Sequence, residues 1–435
     1  MSEKNNEQLE PLFIHPTLLS VMDRFYDVPT KSPIPSNLQS FGRKSSSILN
    51  KLNILYVTFL KYPNTGGLSN YITSLKSGCE KLGHHVDVLS PLQMSQAEFN
   101  NHIPFAAEQA RSFMHNRYGV VHEKIVKNLS FLHVYTLFLE RKQIDTYDVI
   151  HAQDLFALFI LSSLNHRYKK PLLFTPHGLF TKSRLKFKKI QAGSLEELYF
   201  TEIEKQGLRA ANEIIIIADA FRTPLASFDA KEEQMTTIHS GVEFNPLPKL
   251  QHKEKVIISC VARLSPRKGH EGLLHAFALL GEEASNVELW IIGDGVMKET
   301  LIKQVNDLQL SNVLFLGKRT DIAEILSHSD IYVLPTLNDN FPLALIEAML
   351  SQQAIITTTC GGIPEMIQHE RTGLLCEPGN VEELTNAIRY LLSNENARQT
   401  LGLAAKAYAT DHFTSSVMAT KMEKVYKSYI ETINE

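Results

Sequence analysis

Cysteine is scarce: Cys79, Cys260, Cys360 and Cys376 are scattered through 435 residues, with no Cys-x-x-Cys pair and no histidine at zinc-finger spacing. Neither a disulfide framework nor a zinc site is indicated. Long apolar runs are missing too. The stretch from Leu155 to Leu164 is about half of the roughly 20 residues that a spanning helix needs, and Met1 to Glu10 is polar and acidic. The expectation is a cytoplasmic protein that at most touches the inner face of a membrane. An excess of one charge is also absent, since 44 basic residues face 47 acidic ones, a net −3 that gives nucleic acid no overall electrostatic footprint. Ordinary glycine and proline usage, with 43% hydrophobic and 21% charged residues, excludes disorder and collagen. No Gly-x-Gly-x-x-Gly follows the apolar runs ending at Val57 or Val261, which argues against a nicotinamide-dependent dehydrogenase.

What the chain does contain is alternation. Residues 1–50 carry Pro11, Pro16, Pro29, Pro33 and Pro35 and read as an extension that resists long regular elements. Residues 51–248 read as a doubly wound α/β domain. It opens with the strand Leu52 to Val57, the turn Pro63 to Gly67 and a helix from Leu68 to Leu82, followed by a strand at Val86 to Leu89. Residues 95–145 carry long helical patterns, an inserted helical layer. Strands then resume at Asp148–His151, Pro171–Thr175 and Glu213–Ala218. Pro246, Pro248 and the polar run to Lys255 form a linker. Residues 249–414 repeat the scheme with five strand-like runs at Val256–Val261, Val287–Ile292, Val313–Leu316, Ile331–Leu334 and Ala354–Thr357. Residues 415–435, with a helix from Ser415 to Ile433, have no following strand to join and are free to pack back on the first domain. Two such domains leave a cleft between facing strand ends, where open α/β sheets bind ligands.

Several residues near those strand ends suit an anion. Arg263 and Lys268 follow the first strand of the second domain, and a guanidinium beside an ammonium suits a diphosphate. Asp339-Asn340-Phe341-Pro342-Leu343 leads into a helix that carries Glu347. A helix starting near Phe341 or Pro342 turns free N–H groups toward phosphate, and Glu347 can accept two hydrogen bonds from ribose hydroxyls. A solvated loop, a capping Asp339 and a surface Glu347 are the plain alternatives.

Gly66-Gly67, Arg263 with Lys268, Ile292-Gly293-Asp294-Gly295, Asp339 to Glu347 and Gly361-Gly362-Ile363-Pro364-Glu365 stand in the order and spacing of retaining glycosyltransferase family 4. The chain resembles that family from about Lys51 to Ile433. The resemblance implies a GT-B fold and transfer of a sugar from a nucleotide-diphosphate donor, with a UDP-sugar favoured, to an acceptor hydroxyl with retention of configuration. It also implies a place in glycan or glycoconjugate synthesis, of the kind that builds a bacterial surface or capsule. By the same resemblance Arg263 and Lys268 neutralise the donor diphosphate, Glu347 holds the ribose, and Gly66, Gly67 and Gly293 let backbone approach the donor. Asn340, Phe341, Pro342 and Leu343 supply backbone recognition, and Arg319 either borders the base or is an exposed loop cation. His177, in Thr175-Pro176-His177-Gly178, stands where the family places a histidine beside the reacting carbon. Asp339 departs from the family pattern, which has a longer glutamate there. No cofactor is expected beyond the donor substrate. No metal is expected either, because the chain lacks the Asp-x-Asp with which GT-A transferases hold one.

The small net charge conceals a difference. Residues 1–248 hold 27 basic and 24 acidic side chains, a net +3, while residues 249–435 hold 17 and 23, a net −6. In the first half Lys182, Arg184, Lys186, Lys188 and Lys189 crowd the stretch after His177. They form either a basic arm for an anionic acceptor or lipid surface, or a solvated loop. His151 and Asp154 edge the same cleft, with packing an equal alternative for His151. A GT-B protein that binds nucleotide sugar without turnover, as a sensor or scaffold, is the alternative that the Asp339 departure leaves open.

Overall fold

The computed structural model describes residues 10–29, 51–250 and 254–430. Within them lie two six-stranded sheets, parallel throughout. The first contains β1 (Asn53–Val57), β2 (His85–Leu89), β3 (Val149–Ala152), β4 (Leu172–Phe174), β5 (Glu213–Ile216) and β6 (Met235–Thr237), in the order β2-β1-β3-β4-β5-β6. The second contains β7 (Val256–Val261), β8 (Val287–Ile292), β9 (Val313–Gly317), β10 (Ile331–Leu334), β11 (Ala354–Thr358) and β12 (Leu374–Cys376), in the order β12-β11-β10-β7-β8-β9. Ile54, Leu55, Tyr56 and Val57 are all buried, as are the four residues of β10. Unbroken burial is what helices on both faces of a parallel sheet impose, and it explains why these strands read as continuous apolar runs.

The chain reverses direction across each sheet between β1 and β3 and between β7 and β10. Loops leaving these central strands diverge and open a crevice at their carboxyl ends. In the second sheet those loops are residues 262–269 after β7 and 335–342 after β10, which carry Arg263, Lys268, Asp339, Asn340, Phe341 and Pro342.

The inserted layer consists of two helices, Ile103–Tyr118 and Glu123–Glu140. Helix Ser415–Ser428 crosses back to the first unit and lies along Gly67–Lys81, with Thr414 capping it. Gly78 allows this approach, since a Cβ there would sit 2.6 Å from the Ser415 carbonyl oxygen. At the crossing, Val242 donates to the Phe413 carbonyl (3.0 Å) and Ser415 to the Val242 carbonyl (2.9 Å).

The reading of residues 1–50 as an extension without long regular structure needs correction. Helix Pro16–Phe25 buries Leu18 and Met22 and packs on helix Leu195–Ala210. Its Asp23, 1% exposed, accepts from Arg117 Nε (2.6 Å), Arg117 Nη2 (2.8 Å) and the Tyr118 hydroxyl (2.8 Å). The prolines misled because Pro16 stands in the first turn, where no amide hydrogen is required. β6 and β12, short strands that did not register as apolar runs, give each sheet six strands where five were expected. Residues 1–9 and 30–50 of the extension, 251–253 of the linker and 431–433 of the last helix lie outside the described residues.

Candidate active site

Arg263 follows β7 on a loop whose backbone is crossed closely by the one after β8. Gly293 has φ +146°, and a Cβ there would lie 1.9 Å from the Ala262 carbonyl oxygen, so any side chain would displace the Arg263 loop. Leu264 N–H donates to the Asp294 carbonyl at 3.0 Å, which ties the two loops together. The Arg263 side chain is exposed and has no ion-pair or hydrogen-bond partner among the described residues. Its Nη2 lies 3.8 Å from where a Cβ on Gly66 would stand. Gly66 caps helix Gly67–Lys81, and Gly67 has nothing within 4 Å of a built Cβ. A guanidinium from the second unit thus faces the amide-rich start of a helix from the first, an arrangement that favours an anion between them.

Lys268, at the end of the same loop, pairs with Asp339 of the loop after β10. Asp339 Oδ1 accepts its neighbour's N–H, from Asn340, at 3.1 Å. The shorter acid is therefore already engaged by the cation expected to hold phosphate. Asn340 reaches across to the first unit, where its Nδ2 donates to the His177 carbonyl at 2.9 Å. Helix Leu343–Leu350 starts one residue after Pro342, its N-cap, and carries Glu347. Burial pushes the Glu347 carboxyl up to about 7, and its side chain has no hydrogen-bond partner among the described residues. Glu347 and Asp339 both add negative potential at the buried Tyr332 in β10, so both acids lie within electrostatic reach of that strand.

His177 closes the site from the first unit. Burial pushes its imidazole down to about 3, so it is neutral at physiological pH, and its Nε2 is buried without a partner. Its ring meets Tyr71 edge-on, with centroids 4.6 Å apart. Tyr71 escaped the sequence reading because it sits inside helix Gly67–Lys81 at an ordinary core spacing.

Other expected residues stand apart. Arg319 lies on the loop after β9 and is held by Asp321, with Nε 2.8 Å from Oδ1. His151 is fully buried between the Tyr426 hydroxyl (2.7 Å) and Thr175 Oγ1 (2.8 Å), and burial lowers it to about 3, which is the packing role. Asp154 caps helix Leu155–Tyr168 through the N–H groups of Phe156 and Ala157. Lys182, Lys186, Lys188 and Lys189 are exposed together with Phe187, while Arg184 lies over the Phe180 ring at 4.8 Å. No helix among the described residues is long and apolar enough to cross a membrane.

Two doubly wound units, one bringing Arg263, Lys268, Asp339 and Glu347 to its strand ends and the other the Gly66 helix start and His177, have the GT-B architecture. Comparison with known proteins makes the assignment narrower. The family described as Glycosyltransferase Family 4 matches residues 65–245, and that described as Glycosyl transferases group 1 matches residues 244–408. The chain belongs to glycosyltransferase family 4. It is 33% identical over 178 residues to N-acetyl-alpha-D-glucosaminyl L-malate synthase of Bacillus anthracis, a match covering 41% of this chain and 46% of that protein. It thus spans under half the length of that relative. An uncharacterized glycosyltransferase from Methanocaldococcus jannaschii is 24% identical over 411 residues, covering 87% of this chain and 99% of the other. Among solved structures, Anabaena HepE in complex with UDP has the same fold, with TM-score 0.63 and 18% identity over 87% of this chain and 100% of its own.

Proposed function

We propose that the chain transfers a sugar from a UDP-sugar to an acceptor hydroxyl with retention of anomeric configuration, without a divalent metal. The observation that carries this reading is the meeting of Arg263, Lys268 and the Asp339–Leu343 loop at the β7/β10 reversal, opposite His177 and the Gly66 helix start. The diphosphate lies against Arg263 and displaces Asp339 from Lys268. Glu347 accepts from the ribose hydroxyls, and the Anabaena protein's complex with UDP favours uridine as the base. His177, neutral, donates to or accepts from a sugar hydroxyl rather than contributing charge.

In the reaction the bond from the anomeric carbon to the diphosphate oxygen breaks as the acceptor oxygen bonds to that carbon on the same face. The acceptor proton passes to the departing phosphate oxygen. Arg263 and Lys268 take up the charge that develops there, in a site where fixed cations need no reorganisation. The exposed lysines beyond His177 suit an acceptor that is anionic or carried on an anionic lipid, as in glycan assembly.

A thermal-shift screen of nucleoside diphosphates and nucleotide sugars tests the donor, because binding to the native state raises the midpoint. Proton spectra of the product of the best donor then report its anomeric configuration. An inverted product rejects the same-face mechanism. Tight binding with no turnover across an acceptor panel would favour the sensor, a reading to which the occupied Lys268 lends support.

A further inference from the structure

After β11 the chain runs Gly361-Gly362-Ile363-Pro364-Glu365, and the last of these residues reaches into the first unit. The Glu365 carboxylate accepts the backbone N–H of Asp219 at Oε2 (2.8 Å) and of Ala220 at Oε1 (3.0 Å), the opening of the turn after β5. Oε2 also lies 3.1 Å from His239 Nε2. The Asp219 side chain is itself turned to Arg222 Nε (2.8 Å), so two amide hydrogens meet Glu365 there. One N–H on each oxygen fixes the carboxylate in direction as well as position.

His239, two residues past β6, stacks on Phe341 with ring centroids 5.2 Å apart and planes 12° from parallel. Phe341 is 5% exposed and also meets Phe413 edge-on at 5.5 Å. It stands between Asn340, which donates to the His177 carbonyl, and Pro342, the cap of the Glu347 helix. The same loop is held from behind by the glycines that precede Glu365. Gly361 has φ +58°, and a Cβ there would lie 1.8 Å from the Asp339 carbonyl oxygen, while Gly362 N–H donates to the Asn340 carbonyl at 2.8 Å.

We infer that Glu365 and His239 are positioning residues that join the first unit to the Asp339–Leu343 loop and hold that loop in register for the donor. The inference extends the nucleotide-sugar reading, in which that loop cradles the diphosphate. Force passes by two routes: from Glu365 through the glycine pair to the loop backbone, and from Glu365 through His239 to the Phe341 ring. Neither residue needs to touch the donor.

Hydrogen exchange on the full chain, without ligand, tests the coupling. Glu365→Gln places an NH2 group where one N–H donor expects an oxygen, so exchange at Asp219 and Ala220 and at Asn340 and Gly362, whose N–H groups bond within the loop, is expected to quicken at least tenfold. The melting midpoint stays within a few degrees. His239→Ala quickens the second group likewise, whereas His239→Phe, which keeps a ring on Phe341, leaves that group near the parent rate. With the donor that shifts the parent midpoint most, Glu365→Gln lowers kcat at least tenfold while the Kd for UDP changes less than threefold, since Arg263 and Lys268 are intact. Parent-like exchange at Asn340 and Gly362 in both Glu365→Gln and His239→Ala overturns the inference, as does equal exchange in His239→Ala and His239→Phe. If exchange behaves as expected but the parent protein binds no nucleotide, the coupling stands and the nucleotide-sugar reading fails.

Discussion

Lys268 and Asp339 form an ion pair between the loops that leave β7 and β10, with side chains 12% and 13% exposed. The cation that a diphosphate would seek is thus already neutralised by the residue at which the chain departs from its family's glutamate. A phosphate bound at Lys268 would exchange one anion for another there, which would lower its affinity in proportion to the strength of the pair.

Asp339→Asn removes the competitor and leaves Lys268 free. UDP measured by titration calorimetry is expected to bind about fivefold more tightly, the equivalent of roughly 1 kcal/mol for a partly screened pair. Lys268→Ala is expected to weaken it about 10- to 100-fold, the range for a charge-assisted hydrogen bond. Weaker binding in Asp339→Asn would show that the carboxylate helps rather than competes.

Glu347 sets a pH dependence of two signs. Its carboxyl is raised by burial to about 7 in the folded chain, against an ordinary value of 4.5. The native state therefore holds the extra proton between these values, and stability falls as pH rises through that window and levels off above 7. Binding runs the other way, because the ionised form is the better acceptor for ribose hydroxyls. The Kd of a nucleotide sugar, whose diphosphate does not titrate in this range, should fall from pH 6 to pH 8. Glu347→Gln should abolish both trends.

Gly293→Ala should damage the second unit before it touches chemistry. The new Cβ would stand 1.9 Å from the Ala262 carbonyl at a φ of +146°. Strain of this kind costs about 2–3 kcal/mol, or on the order of 5–10 °C in the melting midpoint of a unit this size. An unchanged midpoint with normal activity would mean that the two loops are not packed as described.

The exposed lysines past His177 can be examined without any donor. Reversing Lys182, Lys186, Lys188 and Lys189 to Glu should abolish flotation with vesicles rich in phosphatidylglycerol, given about 1 kcal/mol for each cation near an anionic surface. Raising salt should weaken binding of the parent protein in the same assay. Flotation that ignores both changes removes the lipid version of the acceptor reading.

Arg117→Ala would strand the buried Asp23 carboxylate and detach helix Pro16–Phe25. A loss of about 3–5 kcal/mol is expected in denaturant unfolding, because an uncompensated buried charge remains. The hydrogen bonds of Arg117 and Tyr118 hold Asp23 below its usual range against the opposing effect of burial. The stability it adds is therefore present above the unfolded value near 3.8 and is lost as pH falls through the lower folded value. Arg117→Ala should erase that acid-side loss.

Much of the architecture was legible along the chain because parallel strands buried on both faces must be apolar throughout. Ile54 to Val57 and Ile331 to Leu334 announce themselves in this way. The strand-end positions of Arg263, Lys268 and Asp339 were legible for a related reason, since the loops that carry them directly follow the apolar runs of β7 and β10. Relations between distant segments were not. The sequence could not reveal that Asp339 neutralises Lys268 or that His151 is sealed between Thr175 and Tyr426. Nor could it show that Pro16 begins a helix rather than preventing one. Local periodicity determines which elements form and where their ends lie. Pairing across 71 residues, as in Lys268 with Asp339, depends on the strand order that sets β10 beside β7 within the second sheet, and only the tertiary structure decides that.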